Sequence, residues 1–196
     1  VMADAARIFN LDNSFSLSLI NKLNLDFKNF ILLTIHRKEN TDSKNKLIEI
    51  FEALNEIDKT IIFPLHPRTR QRIIKYKLQN YIQNLKTIEP VSFKEMLALE
   101  RNALLIITDS GGIQKEAYMQ NTPSVTLRDQ TEWLELLSEG NNILAKPLTK
   151  NKILECINTQ IKIKVDYSKN LYGDGHSSER IVRFIYKFLF NKKNDQ

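Results

Sequence analysis

Cysteine is nearly absent from this sequence: Cys156 is the single one in 196 residues. A disulfide scaffold and a cysteine-based zinc site are thereby excluded, and the scarcity fits a reducing compartment. Five glycines and five prolines are too few for a collagen-like, low-complexity or loop-dominated chain. No apolar run approaches about 18 residues, so no transmembrane helix is expected. The opening residues, Val1 to Asn10, lack a basic segment followed by an apolar one, so they do not read as a signal peptide. The expected location is cytoplasmic. The chain opens on Val1 rather than Met, and the expectation is of a chain that starts partway through a longer protein.

What is present supports a packed core: 42% of the residues are hydrophobic and 27% charged. Twenty-nine basic against 23 acidic residues give a formal charge of +6, which points to anionic partners. Nucleic acid is not favoured. The positive charges are scattered, their densest group being Lys187, Lys192 and Lys193 in the tail. Zinc-finger spacing and an RNP-type aromatic motif are both missing. Phosphate on a small molecule fits a modest positive balance equally well. No metal site is indicated, since no His, Cys or carboxylate spacing of a known type occurs.

Short apolar runs alternate with helical stretches. Phe30–Thr34, Thr60–Leu65, Leu85–Ile88, Ala103–Ile107, Ser124–Leu127 and Asn142–Ala145 read as six strands, apolar on both faces. Leu47, Ile50, Phe51 and Leu54 recur at helical spacing, and Pro67 opens a polar helix expected to reach Asn80. Ser92 with Glu95 forms a capping box. Helices are expected over about Gly112–Gln120, from Thr131–Glu132 to Gly140, and from Thr149 to Thr159. Strands each followed by a helix mean βαβ units, so the expected fold is α/β: a Rossmann-like doubly wound parallel sheet of about six strands with helices on both faces. Three segments are expected: a helix or linker over 1–24, the sheet domain over 25–170, and a glycine-broken loop with a C-terminal amphipathic helix over 171–196. In that helix Ile181, Phe184, Ile185 and Phe188 share one face. Core packing is the expected role of this face, in preference to a membrane surface.

Ligands of open parallel sheets bind at the carboxyl ends of the strands. After the fourth strand comes Thr108-Asp109-Ser110-Gly111-Gly112-Ile113-Gln114-Lys115-Glu116. Two glycines and a helix N-terminus there read either as a phosphate cradle or as an ordinary strand-to-helix turn capped by Ser110. Glu116 is placed to accept from ribose hydroxyls or to be a solvated helix residue. After the first strand His36, Arg37, Lys38 and Glu39 cluster, which fits anion binding and a proton carrier, or a solvated loop. His66-Pro67-Arg68-Thr69 follows the second strand. Arg128 follows the fifth, with a fork suited to phosphate or to pairing with Asp129 or Glu132. Cys156 reads as a core residue, and His176 as solvated.

Taken together, the blocks from Thr34 to Asn40, His66 to Thr69, Thr108 to Glu116 and Leu127 to Glu132, with Tyr172-Gly173-Asp174-Gly175, resemble the C-terminal half of the UDP-N-acetylglucosamine 2-epimerase family. The likeness covers about residues 30–190. It implies one half of a GT-B-type fold, in which two Rossmann-like domains face each other across a cleft. It also implies that a first, N-terminal domain is the missing partner and that the parent protein is a homodimer. By the same resemblance, Ser110, Gly111 and Gly112 hold the diphosphate of UDP, Glu116 the ribose, and Arg128 the phosphate region. Met96 lies near uracil, where the family often has an aromatic. His36 matches a histidine needed for activity. Arg37 and His66 match positions that help bind a second, activating UDP-sugar, although regulated members carry an asparagine in the block that here reads His66-Pro67-Arg68-Thr69. No cofactor is implied.

The implied reaction inverts C2 of the sugar. UDP is eliminated to leave a 2-acetamidoglucal and re-added to give the N-acetylmannosamine form, a precursor for surface polysaccharide. Thr131-Glu132-Trp133 resembles instead the branch acting on UDP-2,3-diacetamido sugars, including the glucuronate. A hydrolysing epimerase, a GT-B glycosyltransferase half and a non-catalytic nucleotide-sugar-binding module are the remaining alternatives.

Overall fold

The computed structural model describes residues 1–9 and 13–190. Lys192 and Lys193 lie outside them. Six parallel strands form one sheet: β1 (Phe30–Thr34), β2 (Thr60–Pro64), β3 (Lys86–Ile88), β4 (Leu105–Thr108), β5 (Ser124–Thr126) and β6 (Asn142–Leu144), in the order β3-β2-β1-β4-β5-β6. The chain winds outward from β1 through β2 to β3, returns to β4 beside β1, and winds the other way. Its topological switch point is therefore the gap between β1 and β4, where open α/β sheets bind ligands.

The continuous apolar runs are strands because each faces a helical layer on both sides. Alternation divides their side chains. Ile31, Leu33, Ile61, Phe63, Leu105, Ile107 and Val125 face one core with α4 (Lys44–Asn55) and α9 (Lys150–Gln160). Phe30, Leu32, Ile62 and Ile106 face the other with α2 (Asn13–Lys22), α6 (Phe93–Asn102) and α7 (Gly111–Met119). Cys156 is a fully buried member of the first core. A truncation such as Leu32→Ala costs about 2–5 kcal/mol at such sites.

Several boundaries differ from expectation. The first 24 residues carry two helices, α1 (Met2–Phe9) and α2, rather than one. A short helix, α3 (Lys38–Thr41), follows β1 where a loop reads from the sequence. The helix opened by Pro67, α5 (Pro67–Lys75), stops five residues before Asn80; Lys77 has φ +57°, and a 3-10 turn, Gln79–Ile82, follows. The helix between β5 and β6, α8 (Leu134–Ser138), starts after Trp133 rather than at Thr131. Gly140 closes it with φ +76°.

The largest departure is α10 (Ser177–Phe190). Its apolar face does not enter the core: Phe184 is 71% exposed and Phe188 57%. Both faces of the sheet are already covered, so no apolar layer remains for it. Its start is anchored to α1. Asp4 of α1 accepts from the Ser177 and Ser178 backbone N–H groups at 3.1 and 2.6 Å and from the Ser178 hydroxyl at 2.6 Å. These bonds hold the Asp4 carboxyl well below the usual carboxylate range. Arg7 Nε adds a bond to the Gly175 carbonyl at 2.9 Å.

Candidate functional site

Thr34 and Thr108 are in register at the ends of β1 and β4, and their hydroxyls are 2.6 Å apart. The next residues lie at the switch point. Asp109 is fully buried, which an ionised carboxylate tolerates only with strong hydrogen bonding. It has that support. The His36 N–H reaches both carboxylate oxygens at 3.1 Å, the Arg37 N–H donates at 2.9 Å, and Asn40 Nδ2 donates at 3.2 Å. His36 Nδ1 lies 3.4 Å from Oδ1 of the same carboxylate. Asn40 Nδ2 also donates to the Leu127 carbonyl at the end of β5, at 2.9 Å. One buried carboxylate thus fixes the loop after β1 against β4, and Asn40 extends the tie to β5.

Ser110 caps α7, its hydroxyl accepting from the Ile113 N–H at 3.5 Å, while its own N–H donates to Thr108 Oγ1 at 2.9 Å. Gly111 and Gly112 begin the helix, where the first N–H groups lack intrahelical acceptors and the dipole end is positive. A Cβ at Gly111 would meet Arg37 Nη2 at 3.4 Å, Trp133 Nε1 at 3.7 Å and Glu132 Oε2 at 3.8 Å. The absence of a side chain there opens the helix N-terminus to a ligand between Arg37 and the loop after β5.

That loop is held in place by α7. The Trp133 indole N–H donates to the Gly111 carbonyl at 2.8 Å. The Lys115 ammonium lies 3.9 Å from the Trp133 ring centroid and 5.4 Å from that of Tyr172, whose hydroxyl donates to Glu135 at 2.7 Å. Gln114 is buried and takes Thr131 and Asn142 as donors, at 2.6 and 3.1 Å.

Arg128 makes a two-pronged pair with Glu132, at 3.0 and 2.9 Å. The Arg128 guanidinium draws the Glu132 carboxyl down to about 2. A phosphate reaching Arg128 therefore competes with Glu132. Beside the pair is a cavity of about 140 Å³ lined by Arg37, Asn40, Lys46 and Arg128, among others. The His66 ring is 5.5 Å from that of His36. Its Nδ1 accepts from the Arg68 N–H at 3.1 Å, which requires the neutral ring. Burial, and then the neighbouring His36, pushes the His66 pKa down.

The structure thus gathers His36, Arg37, His66, Ser110, Gly111, Gly112 and Arg128 around the switch point. Glu116 and Met96 belong to a neighbouring face. Glu116 packs beside the buried Glu100 of α6, and burial raises its pKa. Met96 is half-buried against the α2–α6–α7 layer. Two participants were not singled out from the sequence, Asp109 and Asn40, and Trp133 was marked only for its resemblance to the diacetamido-sugar branch. A carboxylate directly after a fully apolar strand and before Ser-Gly-Gly was a usable signal for Asp109, since such a position must find donors. His176 lies at the start of α10, its Nδ1 3.0 Å from Glu179. Among the described residues there is no cluster of three metal-ligating side chains, and no helix is long and apolar enough to cross a membrane.

The fold is a Rossmann-like domain whose switch point gathers a helix N-terminus, two glycines and basic side chains. The model of the UDP-N-acetylglucosamine 2-epimerase family matches residues 1–186, and the chain belongs to that family. A UDP-N-acetylglucosamine 2-epimerase homolog of Methanococcus maripaludis is 47% identical over 85% of this chain and 47% of its own length. The UDP-2,3-diacetamido-2,3-dideoxy-D-glucuronate 2-epimerase of Pseudomonas aeruginosa is 43% identical over 81% of this chain and 44% of its own. The crystal structure of Methanocaldococcus jannaschii UDP-GlcNAc 2-epimerase in complex with UDP-GlcNAc and UDP superposes with a TM-score of 0.83 at 39% identity. That match covers 94% of this chain and 52% of the other. The chain spans about half the length of the curated relatives it matches.

Proposed function

We infer that this chain is the UDP-binding half of a UDP-N-acetylglucosamine 2-epimerase. The observation that carries the reading is the open position at Gly111, ringed by Arg37, Glu132 and Trp133 at the N-terminus of α7. The Gly111 and Gly112 amides and the Ser110 hydroxyl bind the diphosphate, and Arg128 joins them by exchanging Glu132 for a phosphate oxygen. The nucleoside runs toward α6, with Glu116 on the ribose and Met96 near uracil. Arg37 and His66 border a second position for an activating UDP-sugar.

In the epimerase reaction UDP leaves C1 of the sugar and returns after C2 has inverted. The charge that develops on the departing diphosphate is met by the helix N-terminus, Arg128 and His36, which the Asp109 carboxylate orients. The acid and base acting at C2 belong to a first domain that completes the cleft, in a parent that is a cytoplasmic homodimer. The 196-residue chain alone therefore binds UDP weakly and turns nothing over. The test is an epimerisation assay of this chain together with amide shift mapping by NMR. UDP should move the Ser110–Ile113 resonances without any UDP-N-acetylmannosamine appearing; turnover by the chain alone overturns the division of labour.

A second reading has one observation in its favour. Trp133, which resembles the diacetamido-sugar branch, is bonded to the cradle itself at Gly111. Competition of UDP-2,3-diacetamido glucuronate against UDP-N-acetylglucosamine on the whole protein separates the two.

A further inference from the structure

Glu100 is the most anomalous side chain in the fold. It lies on α6 with no exposed surface, and both carboxyl oxygens are buried with no N–H or O–H group of the described residues donating to either. A carboxylate so placed takes up a proton rather than remain charged. The charged group that faces it is Glu116 of α7, and Lys115 in turn acts on Glu116. On the opposite flank the Lys28 ammonium is turned to the Thr122 hydroxyl at 2.9 Å, and that hydroxyl donates to the Glu100 backbone carbonyl at 2.8 Å. Arg101, next on α6, reaches Asn13. None of these cations is hydrogen-bonded to the Glu100 carboxyl.

We propose that Glu100 is a positioning residue: in its protonated form it donates to the Glu116 carboxylate and holds it ready to accept from the ribose hydroxyls of a bound nucleotide. The proposal rests on the UDP-binding reading above. Two carboxyl groups packed together share a proton more readily than they ionise together. The arrangement leaves the acidic proton on the deeper residue and the negative charge on the one nearer the ligand. Burial, with Glu116 second, drives the Glu100 pKa well up; burial also raises that of Glu116, and the bond from Glu100 offsets part of that rise. A purely structural role is poorly served by this residue, because leucine or methionine fills such a position at lower desolvation cost.

The test is calorimetric titration of the 196-residue chain with UDP and with 2′,3′-dideoxy-UDP, for wild type, Glu100→Leu and Glu100→Gln, across pH. Glu100→Leu should keep or raise the thermal midpoint yet bind UDP about tenfold more weakly, with dideoxy-UDP unaffected. The amide N–H of Glu100→Gln should restore binding to near wild type. The acid-side loss of UDP binding should move to higher pH in Glu100→Leu, because Glu116 loses the donor that lowers its pKa. Equal weakening toward both nucleotides, or none toward UDP, overturns the role of Glu100 alone. Wild type that fails to distinguish the two nucleotides overturns the ribose assignment of Glu116, and the role of Glu100 with it.

Discussion

Asp109 and His36 are joined twice across the β1–β4 gap: the His36 backbone N–H reaches both carboxylate oxygens at 3.1 Å, and its ring Nδ1 stands 3.4 Å from one of them. The first contact fixes the loop, and the second fixes the ring. Replacing Asp109 by Asn keeps the shape but turns an amide N–H₂ toward backbone donors. Asp109→Asn should lower the unfolding free energy by about 2–4 kcal/mol. Urea denaturation measures this, and an unchanged midpoint would show that the carboxylate is not what holds the loop.

Gly111 separates stability from binding. It occupies the first helical position with no positive φ, and the nearest atom to an added Cβ is 3.4 Å away. Gly111→Ala should leave stability within about 0.5 kcal/mol of wild type. The methyl group would nonetheless stand where the proposed diphosphate approaches the amides. UDP affinity is expected to fall at least about tenfold, or about 1.4 kcal/mol. Unfolding and calorimetry on the one variant check both halves.

The Arg128–Glu132 pair should act as a competitor for phosphate. Glu132→Gln removes the charge that holds the guanidinium. UDP should then bind roughly two- to fivefold more tightly, the scale of an exposed ion pair, whereas Arg128→Ala should weaken it. Weaker binding by Glu132→Gln would mean that Glu132 itself contacts the ligand.

His66 sets a pH dependence. Its folded pKa lies below the ordinary 6.5 of the unfolded chain. Between those values the unfolded state binds more protons, so stability rises with pH there. The contribution is complete above about 6.5 and is lost as pH falls through the folded pKa. His66→Asn keeps a capping side chain and does not titrate. The stability difference between wild type and this variant should move against wild type as pH drops from 7 toward 5; a constant difference would exclude the effect.

The sheet was legible because parallel strands are buried on both faces and appear as unbroken apolar runs, from Phe30 to Ile107. The gathering of polar side chains at the strand ends was legible because a parallel sheet brings those ends to one edge. What escaped were pairings between distant residues. Asp109 and Asn40 work by accepting from, and donating to, other loops, and Trp133 by one indole bond to Gly111. Glu100 falls three residues after Leu97 on the buried helix face, a polar residue at an apolar position. Nothing local indicated that Glu116 would be its neighbour. The amphipathic pattern of α10 was read correctly as a helix, but its expected core was already occupied. The fork of Arg128 was open to phosphate or Glu132 by spacing alone, and the structure places it on Glu132.

The most direct measurement is calorimetric titration of the 196-residue chain with UDP against ADP. A diphosphate cradle joined to a uracil-selecting face on α6 should bind UDP distinctly more tightly than ADP. Equal affinities, or no binding of either nucleotide, would contradict the assignment of this domain as the UDP-binding half of an epimerase.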